Sequence, residues 1–180
     1  MKNEFKSLLI LLVLFLNLGL MVSCDQEPND SFFDHLENQD VVRMEIESDF
    51  SELIEQRDQM LKQKALLNIE TSSGTLEQYP MKISLRGKTR RQICEFPPLK
   101  LNLDEDALEA QGLKTLDKYK LVTHCIDDSE LVLKEFLAYK LYNQLTDYSF
   151  RVRLVKLTYV DKGGEMESIE QYGILLENYT

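Results

Sequence analysis

Apolar side chains recur at every second residue in short runs: Val42, Met44 and Ile46; Met81, Ile83 and Leu85; Leu99, Leu101 and Leu103. Such alternation fits a strand with one buried and one wet face, and not a helix, whose repeat is 3.6. The chain must therefore build a sheet. Residues 64–71 read as a strand, Ser72, Ser73 and Gly74 as a tight turn, and residues 78–86 as the returning strand. Residues 118–124 are extended again, and two further strands, 150–161 and 172–178, flank a turn at Lys162, Gly163 and Gly164. Helical spacing appears in three places. Ser48 or Asp49 caps a helix carrying Leu53, Ile54, Met60 and Leu61, and Asp104 caps a short one that stops at Gly112. The strongest covers residues 129–145, where Leu133, Phe136, Leu137, Leu141 and Leu145 repeat at three and four residues behind Ser129 as N-cap. This helix is expected to pack on the sheet, giving an α+β fold with a mostly antiparallel sheet and one long packed helix. The last strand ends close to Thr180, so the expectation is the first lobe of a larger fold.

The first residues follow different rules. Lys2 and Lys6 precede an apolar run from Leu8 to Val22, broken only by Asn17 and Gly19 and too short to span a bilayer comfortably. It closes on Leu20, Met21, Val22, Ser23 and Cys24, which resembles the lipobox of bacterial lipoproteins. Residues 1–23 are thus expected to be a lipoprotein signal peptide, and Cys24 the lipidated residue that anchors the protein in a membrane, facing the periplasm or the cell surface. Residues 24–40 carry that cysteine and an acidic linker, with only Phe32, Phe33 and Leu36 as apolar content after it, and read as a flexible tether. The expected domain covers residues 41–180.

The whole chain carries a net charge of −10, and loss of the leader removes two lysines and one glutamate, leaving it more acidic. That balance argues against nucleic acid as a partner. With Cys24 used for lipid, Cys94 and Cys125 remain; both fall beside extended segments of an exported chain and are expected to form a disulfide. Two cysteines do not make a zinc site, and no metal ligand set is expected.

Against this acidic background Arg86, Lys88, Arg90 and Arg91 place four cations within six residues, beside Gly87, which allows close backbone approach. The pattern fits an anion site; it also fits a solvated strand end that balances acidic neighbours. Lys100 sits between Leu99 and Leu101, so its side chain points to the opposite face of that strand. His124 next to Cys125 could suggest a base and a nucleophile, but adjacent strand residues face opposite ways, which favours a structural thiol. Tyr139, Tyr142 and Tyr148 read as packing residues near the end of the main helix.

Four segments in order carry a family resemblance: Leu85-Arg86-Gly87-Lys88 leading to Phe96-Pro97-Pro98-Leu99-Lys100-Leu101; Lys120-Leu121-Val122-Thr123-His124-Cys125; Ala138-Tyr139-Lys140-Leu141-Tyr142-Asn143; and Tyr172-Gly173-Ile174-Leu175-Leu176-Glu177. Over roughly residues 80–178 they resemble the N-terminal lobe of the CotH family of spore-coat-protein-H-like atypical kinases. The resemblance implies a kinase-like lobe, ATP with magnesium or manganese as cofactors, and an envelope protein as the phosphoryl acceptor at Ser or Thr. It casts Arg86 and Lys100 as phosphate contacts and Glu135 as the carboxylate that orients Lys100. Lys88, Arg90 and Arg91 extend the anion patch. Gly87-Lys88-Thr89 departs from the Gly-Asn-Ser found in many members. The family's metal-holding aspartates lie beyond a strand matching residues 173–177, so no catalytic residue is expected within this chain, and it should be inactive alone. Two classes of function follow: the nucleotide-binding part of a lipid-anchored envelope kinase, or a non-catalytic envelope module that binds an anionic polymer or a partner protein.

Overall fold

The computed structural model describes residues 30–36, 39–71, 73–126 and 129–177. The expected signal peptide, the lipidation of Cys24, residues 25–29, 37 and 38 of the linker, Ser72 of the hairpin turn, Asn178 of the last strand and the capping side chain of Ser129 lie outside the described residues.

The alternating runs form the strands β1 (Val42–Ser48), β2 (Gln63–Glu70), β3 (Leu76–Leu85), β4 (Leu99–Leu103), β5 (Lys118–Val122), β6 (Val152–Asp161) and β7 (Ile169–Glu177). Five helices are described: α1 (Phe32–His35), α2 (Phe50–Glu55), α3 (Arg90–Ile93), α4 (Glu105–Ala110) and α5 (Ser129–Leu145). The strands join in the order β1-β2-β3-β4-β5-β7-β6 and close into a barrel. Every pairing is antiparallel except the closing one, in which β1 runs parallel to β6 with Val42 opposite Val155 and Ile46 opposite Tyr159. The expected α+β lobe with a long packed helix is therefore overturned: the molecule is a closed, mixed seven-stranded barrel. Alternation fixes which side chains are buried, but does not reveal whether the outermost strands meet. Closure satisfies the edge groups that an open sheet would leave exposed.

The barrel interior is a packed core. Val42, Met44 and Ile46 of β1 meet Tyr79, Met81 and Ile83 of β3, Leu99 and Leu101 of β4, Tyr119 and Leu121 of β5, and Val155, Leu157 and Tyr159 of β6. Each fully buried aliphatic side chain contributes about 1.5–3 kcal/mol relative to exposure. Gly173 on β7 marks the tightest approach. A Cβ there would stand 2.5 Å from Leu157 Cδ1 and 2.9 Å from the Val122 carbonyl oxygen.

Each mouth is plugged by a short helix. Ser31 caps α1 in a reciprocal arrangement with Asp34, and Phe32 reaches Tyr79 and Tyr119 with ring centroids 5.1 and 5.2 Å away. Phe32, Phe33 and Leu36, assigned to the tether on composition, are buried, so the folded unit begins before residue 41. At the other mouth Asp49 caps α2, and Phe50, Phe96 and Tyr159 form an aromatic cluster with centroids 4.2 to 5.5 Å apart. That helix ends at Glu55; a 3-10 turn follows, and Met60 adopts a left-handed conformation at the surface rather than joining the core.

Helix α5 lies outside the barrel against β6 and β7; of the stripe expected to pack, Phe136 does so and Leu133 is half-buried, but the rest of the stripe faces away. Val132, Phe136 and Tyr139 pack against Val122, Val152, Ile174 and Leu176, whereas Leu137, Leu141 and Leu145 point to solvent. The helix carries two apolar stripes, and spacing within one helix cannot select between them.

Candidate anion-binding site

The outer wall formed by β3 and β4 carries the residues that alternate with the core: Lys82 and Ser84 on β3, Lys100 and Asn102 on β4. Register places Ser84 opposite Lys100 and Lys82 opposite Asn102. It also sets Lys64 directly across from Lys82 and Lys100 directly across from Lys120. Like charges facing across a rung are destabilising, so the wall carries a cost that an anion would relieve.

Above this wall the chain leaves β3 through Gly87, at φ 82°, and enters the loop that carries Arg86, Lys88 and Arg91. Wall and loop enclose a groove of about 560 Å³. Six cations line it, Lys62, Lys82, Arg86, Lys88, Arg91 and Lys100, together with Ser84 and Asn102, and no carboxylate does. Arg86 is half-buried; burial draws its guanidinium below its ordinary value and Arg90 adds to this, while Tyr139 and Glu135 act the other way. Arg91 Nε is buried and has no hydrogen-bond partner among the described residues. A buried donor of this kind is costly unless an acceptor reaches it.

The loop is held at four points. Arg57 Nη1 donates to the carbonyls of Arg91, Gln92 and Cys94 at 3.3, 3.4 and 3.0 Å. Cys94 and Cys125 form a disulfide with Cα atoms 4.5 Å apart, and Thr123 Oγ1 donates to the Phe96 carbonyl at 2.8 Å. Arg90 Nη2 meets Glu135 Oε2 at 3.3 Å. The basic loop is thus a fixed rim.

Arg86, Lys88, Arg91 and Lys100, each named from the sequence, come together in the groove. Arg90 and Glu135 do not line it: Glu135 pairs with Arg90 rather than orienting Lys100, and Lys100 makes no ion pair among the described residues. The Cys125 thiol is consumed in the disulfide, and His124 stacks on Phe96 with centroids 5.3 Å apart. Lys62, Lys82, Ser84 and Asn102 were missed. Lys82 alternates with Met81 and Ile83 just as Lys100 does with its leucines, so the signal was there for the side chain and absent for the register that joins the two strands.

The donor set suits phosphate or sulfate oxygens, which ammonium and guanidinium groups bind well. It does not suit magnesium or manganese, which require oxygen ligands and find no carboxylate in the groove. No protein-family model, curated protein or solved structure matches the chain.

Proposed function

We propose that this protein is a non-catalytic module of the cell envelope, anchored by lipid at Cys24, that holds a phosphate-bearing anionic polymer on the basic wall of its barrel. The observation that carries the reading is a groove with six cations and no carboxylate in a chain of net charge −10. Six cations along one groove of about 560 Å³ exceed what a single small anion can engage, which favours a polymer. The lipobox-like segment ending in Cys24 supports the anchor.

Calorimetry with a short polyphosphate, with ATP in the presence and absence of magnesium, and with polyglutamate tests the groove. Polyphosphate should bind, and ATP should bind more weakly with no gain from magnesium. Polyglutamate, whose carboxylates are less densely charged, should bind weakest. Magnesium-dependent ATP binding that exceeds polyphosphate binding would overturn this reading and restore the nucleotide role implied by the CotH resemblance. Labelled palmitate tests the anchor: it should enter the wild type and not Cys24→Ala, and equal labelling of both would sink it.

A further inference from the structure

The described chain enters the barrel at the mouth plugged by α1. The Asp30 carbonyl accepts from the Lys114 amide at 2.9 Å, and Phe33 lies beneath the guanidinium groups of Arg151 and Arg153, each 5.0 Å from its ring centroid. Strand β6 starts at this mouth, β7 finishes there, and α5 runs down to it from the other end. A cleft lined by Phe33, Lys140, Asn143 and Arg151 joins the end of α5 to the entry point.

The outward stripe of α5 converges on the same place. Leu137 and Leu141 are each 65% exposed, Leu145 74% and Tyr148 95%, with Tyr142 and Phe150 beside them. Cations border the patch: Lys120 Nζ sits 4.8 Å from the Phe150 ring centroid, and Lys140 flanks the cleft, whereas Arg151 is held by Asp34 and Glu177.

We propose that this face rests on the lipid bilayer, with Leu141, Leu145 and Tyr148 inserted at headgroup depth. The proposal rests on the lipid anchor at Cys24. Five residues separate Cys24 from Asp30, and the six steps between them span no more than about 20 Å when fully extended. An acyl chain on Cys24 therefore keeps the α1 mouth close to the membrane and presents the leucine stripe to it at high effective concentration. The composition fits the site: leucines enter the acyl boundary, tyrosines favour the interface, and lysines reach back to headgroups. A second copy of the chain would meet the same stripe without the advantage of the tether. With this mouth on the bilayer, the basic loop, which leaves the opposite end of β3, faces away from it.

The chain contains no tryptophan, so a single introduced indole reports cleanly. Lipidated Tyr148→Trp and Ile93→Trp proteins, purified from membranes, are reconstituted into phosphatidylethanolamine–phosphatidylglycerol vesicles with brominated acyl chains; Ile93 is exposed on the loop at the opposite mouth. The expected result is loss of more than half the Tyr148→Trp emission with Ile93→Trp unquenched. Adding Leu141→Glu and Leu145→Glu to Tyr148→Trp should abolish the quenching without loss of fold, since both side chains are exposed. Unquenched emission at both positions, with mass spectrometry finding lipid on Cys24, overturns the docking and leaves the anchor standing. Protein that neither floats with vesicles nor carries lipid on Cys24 removes both. Blue-shifted but unquenched Tyr148→Trp emission places a protein on the stripe and also overturns the proposal.

Discussion

Arg151 ties the entry of the chain to its last strand. Its Nη1 meets Asp34 Oδ1 at 2.7 Å and its Nη2 meets Glu177 Oε1 at 2.6 Å. Burial pushes the Asp34 carboxyl up, but hydrogen bonds from Ser31 and Arg151 outweigh it and bring the pKa from 3.8 to about 2. At Asp161 burial is likewise outweighed, by the Ser51 hydroxyl and by the amides of Ser51, Met166 and Glu165, so this carboxyl also lies well below its ordinary range. Both groups are more acidic folded than unfolded, so the unfolded chain binds more protons across that interval. Their stabilisation is present above about pH 4 and is lost as pH falls towards about 2. Thermal melts followed by circular dichroism should show the midpoint dropping across that window. Arg151→Met should destabilise by about 2 kcal/mol and blunt the acid dependence, because it leaves two carboxylates without their partner. Gly173→Ala should cost about 1–3 kcal/mol in denaturant unfolding, since the new methyl meets the Leu157 side chain and the Val122 carbonyl. The sequence marks Lys100 by its alternation with leucines; the family resemblance pairs Glu135 with it, whereas in the structure Glu135 meets Arg90. Which charged group a helix carboxylate meets depends on how the helix lies, and Arg90, carried by the pinned loop, reaches Glu135 first.

Among the elements, the loop from Arg86 to Pro98 carries the most chemistry and the most restraint. Opening the Cys94–Cys125 bridge should lower stability by roughly 3–4 kcal/mol on the chain-entropy view, read as a shift in melting midpoint on adding reductant or in a Cys94→Ser, Cys125→Ser variant. The same change should weaken polyphosphate binding, because the loop that positions Arg86, Lys88 and Arg91 loses one of its four attachments. Strand positions were largely legible, since each run announces its buried face through a period of two. Helix α5 was legible as a helix and not as a packing element. Its outward leucines repeat as regularly as Val132, Phe136 and Tyr139, and only the surface offered by β6 and β7 decides between the two stripes. The α1 segment was read as linker because polar residues surround Phe32, Phe33 and Leu36; three apolar side chains are enough to plug a mouth that already exists.

At the scale of the whole molecule, closure is what the sequence hides. The seam joins β1 to β6, strands from opposite ends of the described chain running parallel, and neither a turn residue nor a periodicity encodes such a partner. The groove is built by β3, the rim loop and β4, which supply all of its lining except Met60 and Lys62, and it is the β3–β4 register that sets Lys82 and Lys100 beside the loop. The anion site was therefore half legible: four of its six cations stood out by density or alternation, and the shape that unites them did not. The most direct test is the affinity of the intact protein for a short polyphosphate, measured by calorimetry across ionic strength for the wild type and for a Lys82→Gln, Lys100→Gln double variant. A polyanion held by this groove should release counterions, giving a log–log salt slope of about −3 to −4 for the wild type. The double variant should bind at least about tenfold more weakly, with a slope smaller by about two and a melting midpoint no lower than that of the wild type, since two like-charge rungs are relieved. Equal affinity and equal slope in the two proteins would contradict an anion-binding groove on this wall.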